Sequence, residues 1–197
     1  MQFRVYCASY ERDNKKSYRL LGVDPGTNTL GYAILEIKNE QPQLVDLGII
    51  TLQKYLNHQQ KLKLIFQRLQ QVIATHQPLE MAIEAPFYGK NVQSMLKLGR
   101  AQGVAIAAAM TAGLEITEYS PKKIKQVVTG NGNAAKEQVA AMLAHQLKVK
   151  LNGESLDATD ALAAAFCHFH QSKGGLGQEK KNKDWSSFIT QNPDRVK

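Results

Sequence analysis

The segment Tyr18-Arg19-Leu20-Leu21-Gly22-Val23-Asp24 is a largely apolar run that stops on a carboxylate and turns at once through Pro25-Gly26. Such a run reads as a buried strand, and its length is too short for a helix of ordinary size. Proline fixes φ and glycine accepts positive φ, so a tight turn must follow. Two more strand patterns come next, at about 29–37 and 43–52, with Asn39, Gln41 and Pro42 between them as turn residues. Strands joined by turns this short pair as an antiparallel meander.

The pattern then changes period. An amphipathic helix is expected from about Gln59 to His76, with Leu62, Ile65, Phe66, Leu69 and Ile73 on one stripe and Pro78 marking its end. A short apolar strand runs from Leu79 to Glu84, followed by an alanine-rich helix at 91–112 and a strand at 114–119. Ser120-Pro121 is an N-cap with proline at the first helical position, opening a helix that reaches about Val128. Further helices are expected at 134–147 and 155–171.

Strands that follow crossover helices add in parallel, so the fold class is α/β. The expected architecture is a mixed five-stranded sheet, a three-strand antiparallel meander plus parallel strands, flanked by helices on both faces. RNase H-like nucleases share that topology with each half of the actin-like ATPases, and element order does not choose between them.

The ends differ from this core. Residues 1–17 are polar and aperiodic and read as a flexible N-terminal arm; 18–171 form the folded domain; 172–197 read as a basic, disordered tail. No apolar stretch is long enough to span a bilayer, so no membrane role is expected. Cys7 and Cys167 stand alone, without zinc-type spacing, which suits two free thiols in a cytoplasmic protein. The formal net charge is +8, and within 90–150 nine Lys/Arg meet three Glu. A polyanionic partner fits that stretch, although a solvated basic face would look the same.

Chemistry-bearing acids lie where strands end. Asp24 closes the first strand, Glu84 closes the fourth, and Asp157 and Asp160 stand three apart on one face of the last helix. Taken singly, Asp24 could cap its turn, and the Asp157/Asp160 pair could be first-turn acids favoured by the helix dipole. Glu84 is harder to explain that way, because an acid ending a buried strand is costly without a partner. Carboxylates gathered in one place repel and raise each other's pKa, and hard divalent cations relieve that. Two such ions about 3.5–4 Å apart serve phosphodiester hydrolysis.

Four ordered blocks of this sequence resemble the RuvC family of crossover (Holliday) junction endodeoxyribonucleases. The first is Leu21-Gly22-Val23-Asp24-Pro25-Gly26 with Gly31-Tyr32. The second is Ala82-Ile83-Glu84 with Phe87, Lys90-Asn91 and Leu96 to Val104. Lys125-Gln126 and Thr129 to Lys136 make the third, and Asp157 to Ala163 the last. The resemblance implies an RNase H-like nuclease with Asp24, Glu84, Asp157 and Asp160 as catalytic and metal-binding acids. It implies Lys125 and Lys136 as basic substrate-binding residues, and Phe87 as an aromatic set against unstacked bases. It further implies two Mg2+ per subunit (Mn2+ as an alternative), a homodimer, four-way junction DNA as substrate, and a branch-migration motor complex of the RuvA and RuvB type as partner. The implied reaction is symmetric nicking that leaves 5′-phosphate and 3′-hydroxyl ends.

On the residues alone, Lys136 could be a solvated helix residue and Phe87 a core plug. His145, His168 and His170 match no block and read as surface or helix-packing histidines. Competing readings are an actin-like ATPase, another RNase H-like nuclease, or a non-catalytic junction-binding protein.

Overall fold

The computed structural model describes residues 17–55, 57–86, 91–151 and 153–174. Its elements, in chain order, are β1 (Ser17–Asp24), β2 (Thr29–Lys38), β3 (Gln41–Thr51), α1 (His58–His76), β4 (Glu80–Glu84), α2 (Val92–Thr111), β5 (Glu115–Tyr119), α3 (Pro121–Thr129), α4 (Lys136–Leu147) and α5 (Leu156–Gly174). The sheet order is β3-β2-β1-β4-β5. β1, β2 and β3 form the antiparallel meander, while β4 joins β1 in parallel and β5 joins β4 in parallel. This is the expected mixed sheet.

Side chains alternate across a strand, so each strand feeds two cores. Leu21, Val23, Met81 and Ile83 pack with Ile65, Leu69 and Ile73 of α1 and with Ala101, Ala105, Ala108 and Ala109 of α2. Leu20, Ala82, Ala33 and Leu35 pack on the other face with Ile124 of α3, Leu143 of α4 and Ala161, Leu162 and Ala165 of α5. β1 is central and buried on both sides, which is why its sequence is apolar without alternation.

The β2–β3 turn differs from the sequence expectation. Asn39 and Glu40 alone make it, both at positive φ (49° and 60°), as a two-residue hairpin of the twist-matched kind requires. Gln41 and Pro42 already belong to β3, with Pro42 opposite Ile37. Proline fits there because β3 is an edge strand and that position need not donate to a neighbour. At the other end of the domain, α5 continues to Gly174, beyond the expected stop at 171.

Candidate metal centre at the carboxyl edge of the sheet

Strand register brings the first two acids together. The last parallel pair between β1 and β4 is Val23 opposite Ile83, so Asp24 and Glu84 are the next residues along on neighbouring strands. Alternation turns both away from the Val23/Ile83 core and toward the α5 face. Asp24 can sit at a strand end because Pro25-Gly26 reverses the chain at once. A Cβ on Gly26 would lie 1.9 Å from the Thr29 carbonyl oxygen, so only glycine closes this turn.

Two more glycines bring in the other acids. A Cβ on Gly31, the β2 partner of Asp24, would fall 1.9 Å from the Asp157 carbonyl oxygen. A Cβ on Gly22 would fall 2.0 Å from the Ala161 carbonyl oxygen and 2.9 Å from the Ala165 Cβ. The backbone of α5 therefore rests on the bare backbone of β1 and β2. Alanines at 161, 163, 164 and 165 keep the helix slim on its buried sides. This contact lowers the first turns of α5, and with them Asp157 and Asp160, onto the end of β1.

One oxygen each from Asp24, Asp157 and Asp160 lies within 4.8 Å of the others. Ligands about 2.1 Å from a magnesium ion stand no more than about 4.2 Å apart, so small side-chain adjustments suffice to close this trio on a hard cation. Glu84 is not part of the trio; its carboxyl adjoins it through the field of Asp160. Burial pushes the Asp24 carboxyl up to about 8, with Glu84, Asp160 and Asp157 adding to the rise and Lys136 opposing it. Burial, then the Asp160 charge, pushes Glu84 up to about 7 against Lys136 and Lys125. Burial also raises Asp160, and the hydrogen-bonded Lys136 works against that rise. Without a cation the pocket therefore holds protons near neutrality, where a divalent ion would otherwise balance the charge.

These raised carboxyls make stability pH-dependent in a definite direction. A carboxyl whose folded pKa is raised contributes stability that is complete below its unfolded pKa and lost as pH rises through the folded value. The window runs from about 4 to about 8. A tenfold change in proton affinity corresponds to about 1.4 kcal/mol, reduced by whatever water reaches the pocket. In chelator, the melting temperature is expected to fall by several degrees between pH 6 and pH 9, and added Mg2+ is expected to restore most of it at pH 9. Scanning calorimetry measures this; a melting temperature that climbs with pH in chelator would contradict the buried-acid cluster.

The basic residues also approach. The Lys136 ammonium forms an ion pair with Asp160 Oδ2. Burial pulls the Lys136 pKa down, but that hydrogen bond and the nearby carboxylates outweigh it, and the net shift is upward. Half-buried Lys125, from α3, is close enough to act on Glu84 and Asp160. Lys136 is the first residue of α4, whose N-cap Ala135 provides no side-chain cap. Only Gln138 reaches back, its Oε1 accepting from the Ala135 N–H at 2.9 Å. The first turn thus keeps N–H donors free to meet an anion. Phe87 lies outside the described residues.

Sequence reasoning missed two contacts. His168 is 7% exposed and bridges two elements, with Nε2 2.5 Å from Glu80 Oε2 and Nδ1 2.8 Å from the Tyr119 hydroxyl. Burial, with Cys167 and Glu80 adding, pushes Tyr119 up to about 12. The His168 tautomer with its proton on Nε2 satisfies both contacts, its N–H donating to Glu80 and Nδ1 accepting from the Tyr119 O–H. That relay ties α5 to β4 and β5. Glu80 and Tyr119 lie 88 and 49 residues from His168, and no spacing signals them. Lys61 of α1 donates to the Thr27 carbonyl at 2.9 Å and to Asn28 Oδ1 at 3.2 Å, pinning the turn that follows Asp24.

The profile described as crossover junction endodeoxyribonuclease RuvC matches residues 20–168, from β1 into α5. A RuvC of Cytophaga hutchinsonii is 57% identical over 179 residues, covering 90% of this chain and 88% of that protein. A RuvC of Christiangramia forsetii is 51% identical over 191 residues, covering 96% and 98%. Among solved structures, T. thermophilus RuvC in complex with a Holliday junction substrate aligns with a TM-score of 0.75 at 28% identity, over 80% of this chain and 96% of that one. A family profile matched over residues 20–168, and identity above 50% sustained across nearly the whole length of such relatives, make this chain a member of the RuvC crossover junction endodeoxyribonuclease family.

Proposed function

We propose that this protein resolves four-way DNA junctions in recombination and repair, as a divalent-metal-dependent endonuclease whose acids are Asp24, Glu84, Asp157 and Asp160. The observation that carries this reading is the convergence of Asp24, Asp157 and Asp160 oxygens at one sheet edge beside a lysine pair. Bound there, two Mg2+ ions (or Mn2+) supply Lewis acidity and a water nucleophilic at neutral pH. Asp24, Glu84, Asp157 and Asp160 would hold that centre. Lys136, once its Asp160 partner is engaged elsewhere, is free to meet a phosphate oxygen, with the open N–H groups of α4 beside it. Lys125 adds positive charge on the same side. Phe87, three residues past Glu84, serves as a wedge between bases at the crossover.

The active species is a homodimer, cutting two like strands symmetrically to leave 5′-phosphate and 3′-hydroxyl ends. Val92, Leu96 and Met110 are 66%, 53% and 64% exposed along one face of α2. Gly99 and Gly103 lie on the same face with open space above them, so two copies of α2 can approach closely about a two-fold axis. Cytoplasmic action beside a motor of the RuvA and RuvB type completes the reading. No helix among the described residues is long and apolar enough to cross a membrane.

The direct test is incubation with synthetic four-way, flap, duplex and RNA–DNA hybrid substrates, with and without Mg2+. Paired nicks confined to the four-way junction and dependent on metal are expected; preference for the hybrid would assign another nuclease role. Lys136→Ala is expected to slow single-turnover cleavage by about a hundredfold, with a melting temperature within a few degrees of the parent. An unchanged rate would remove Lys136 from the site.

A further inference from the structure

Lys125 and Lys136 sit on the α3–α5 face of the sheet, but the opposite face also carries cations to the same edge. β3 ends at Thr51, opposite Thr29 at the start of β2. β1, β3 and β4 therefore all end at the edge where Asp24 and Glu84 stand. The N-termini of α1 and α2 rise from this edge on the Val23/Ile83 side, and neither helix contains an acid. The sequence holds no Asp or Glu between Asp46 and Glu80, nor between Glu84 and Glu115.

The cations on that side are gathered. His58, the first residue of α1, has its Nε2 buried without a hydrogen-bond partner. Burial and then Arg100, Lys97 and Lys61 lower its pKa, so three positive charges lie close enough to act on one ring. Lys97 and Arg100 are exposed and three apart on α2. Lys61 reaches from this cluster to Thr27 and Asn28 in the turn after Asp24. Like charges held together with no carboxylate among them are unfavourable alone and become favourable against a polyanion.

We propose that Lys97 and Arg100, backed by Lys61, form a second phosphate-binding rim, on the opposite side of the carboxylates from Lys125 and Lys136. The DNA strand then crosses the sheet edge with its scissile phosphate at the acids and its flanking phosphates on cations to either side. This rests on the junction-cutting reading above. The rim has the chemistry of backbone contact and carries no base specificity.

The test is junction binding by fluorescence anisotropy in Ca2+, over a series of KCl concentrations, for the full chain and for the double variant Lys97→Ala/Arg100→Ala. Each lost phosphate contact lowers the slope of log affinity against log salt by about 0.9. With two subunits on one junction, the double variant is expected to lose between about 2 and 4 from that slope and to bind at least roughly tenfold more weakly at moderate salt. The exchange variant Lys97→Arg/Arg100→Lys is expected to keep the parental slope. A double variant with the parental slope would overturn the rim. A parent protein that cuts no junction with Mg2+ would instead overturn the functional reading.

Discussion

Asp24→Asn is expected to slow junction cleavage at least about a thousandfold while junction binding stays within a few-fold of the parent. The amide keeps the size and one acceptor of the carboxyl but cannot carry its charge to a cation. It also removes a buried acid whose pKa burial and three neighbouring carboxylates push up to about 8. The same variant is therefore expected to melt higher than the parent in chelator at pH 8, by an amount of the order of 2 kcal/mol or more. It should also gain little stability from Mg2+. Cleavage under single-turnover conditions, anisotropy binding and calorimetry in chelator together decide the matter. Equal losses of binding and cutting would make Asp24 a substrate-holding residue, and a lower melting temperature would deny that its charge is strained.

Gly31→Ala should be among the most damaging single methyl additions at the described residues. The new carbon would lie 1.9 Å from the Asp157 carbonyl oxygen, a contact that no rotamer can relieve because both parties are backbone-fixed. Either α5 lifts from β2 or the strand bends, and overpacking of this kind costs about 1–3 kcal/mol, sometimes more. Function suffers further, because a displacement of about 1 Å at a reacting centre can cost a hundredfold. Cleavage is expected to drop at least that far, with Mg2+ affinity, read by titration calorimetry, falling in parallel. A Gly31→Ala protein that cuts at the parental rate would mean that the seating of α5 does not set the acid geometry.

The sheet was largely legible because its signals are local. An apolar run without alternation announced central β1, strand patterns separated by turn residues announced β2 and β3, and Pro78 and Pro121 punctuated the helices. The acids were legible from position, each at a strand end or a helix start beside a turn. What sequence reasoning could not reach was set by tertiary contact. Gly22 and Gly31 belong to recognisable motifs, but the reason they must be glycine is the α5 backbone, more than a hundred residues away in the chain. The Glu80–His168–Tyr119 relay has the same origin: a glutamate in a short strand announces that it needs a partner, not which one. The Asn39-Glu40 turn was misplaced because proline usually signals a turn, and an edge strand relaxes that rule.

The separation of the acids along the chain has a bearing on biosynthesis. Asp24 and Glu84 emerge from the ribosome early, yet the helix that seats Asp157 and Asp160 is the last element among the described residues. A nascent or truncated polypeptide ending before residue 157 would carry half of the four acids and no α5 over β1. The capacity to break DNA would then arise in a single late event, leaving incomplete chains harmless to the genome.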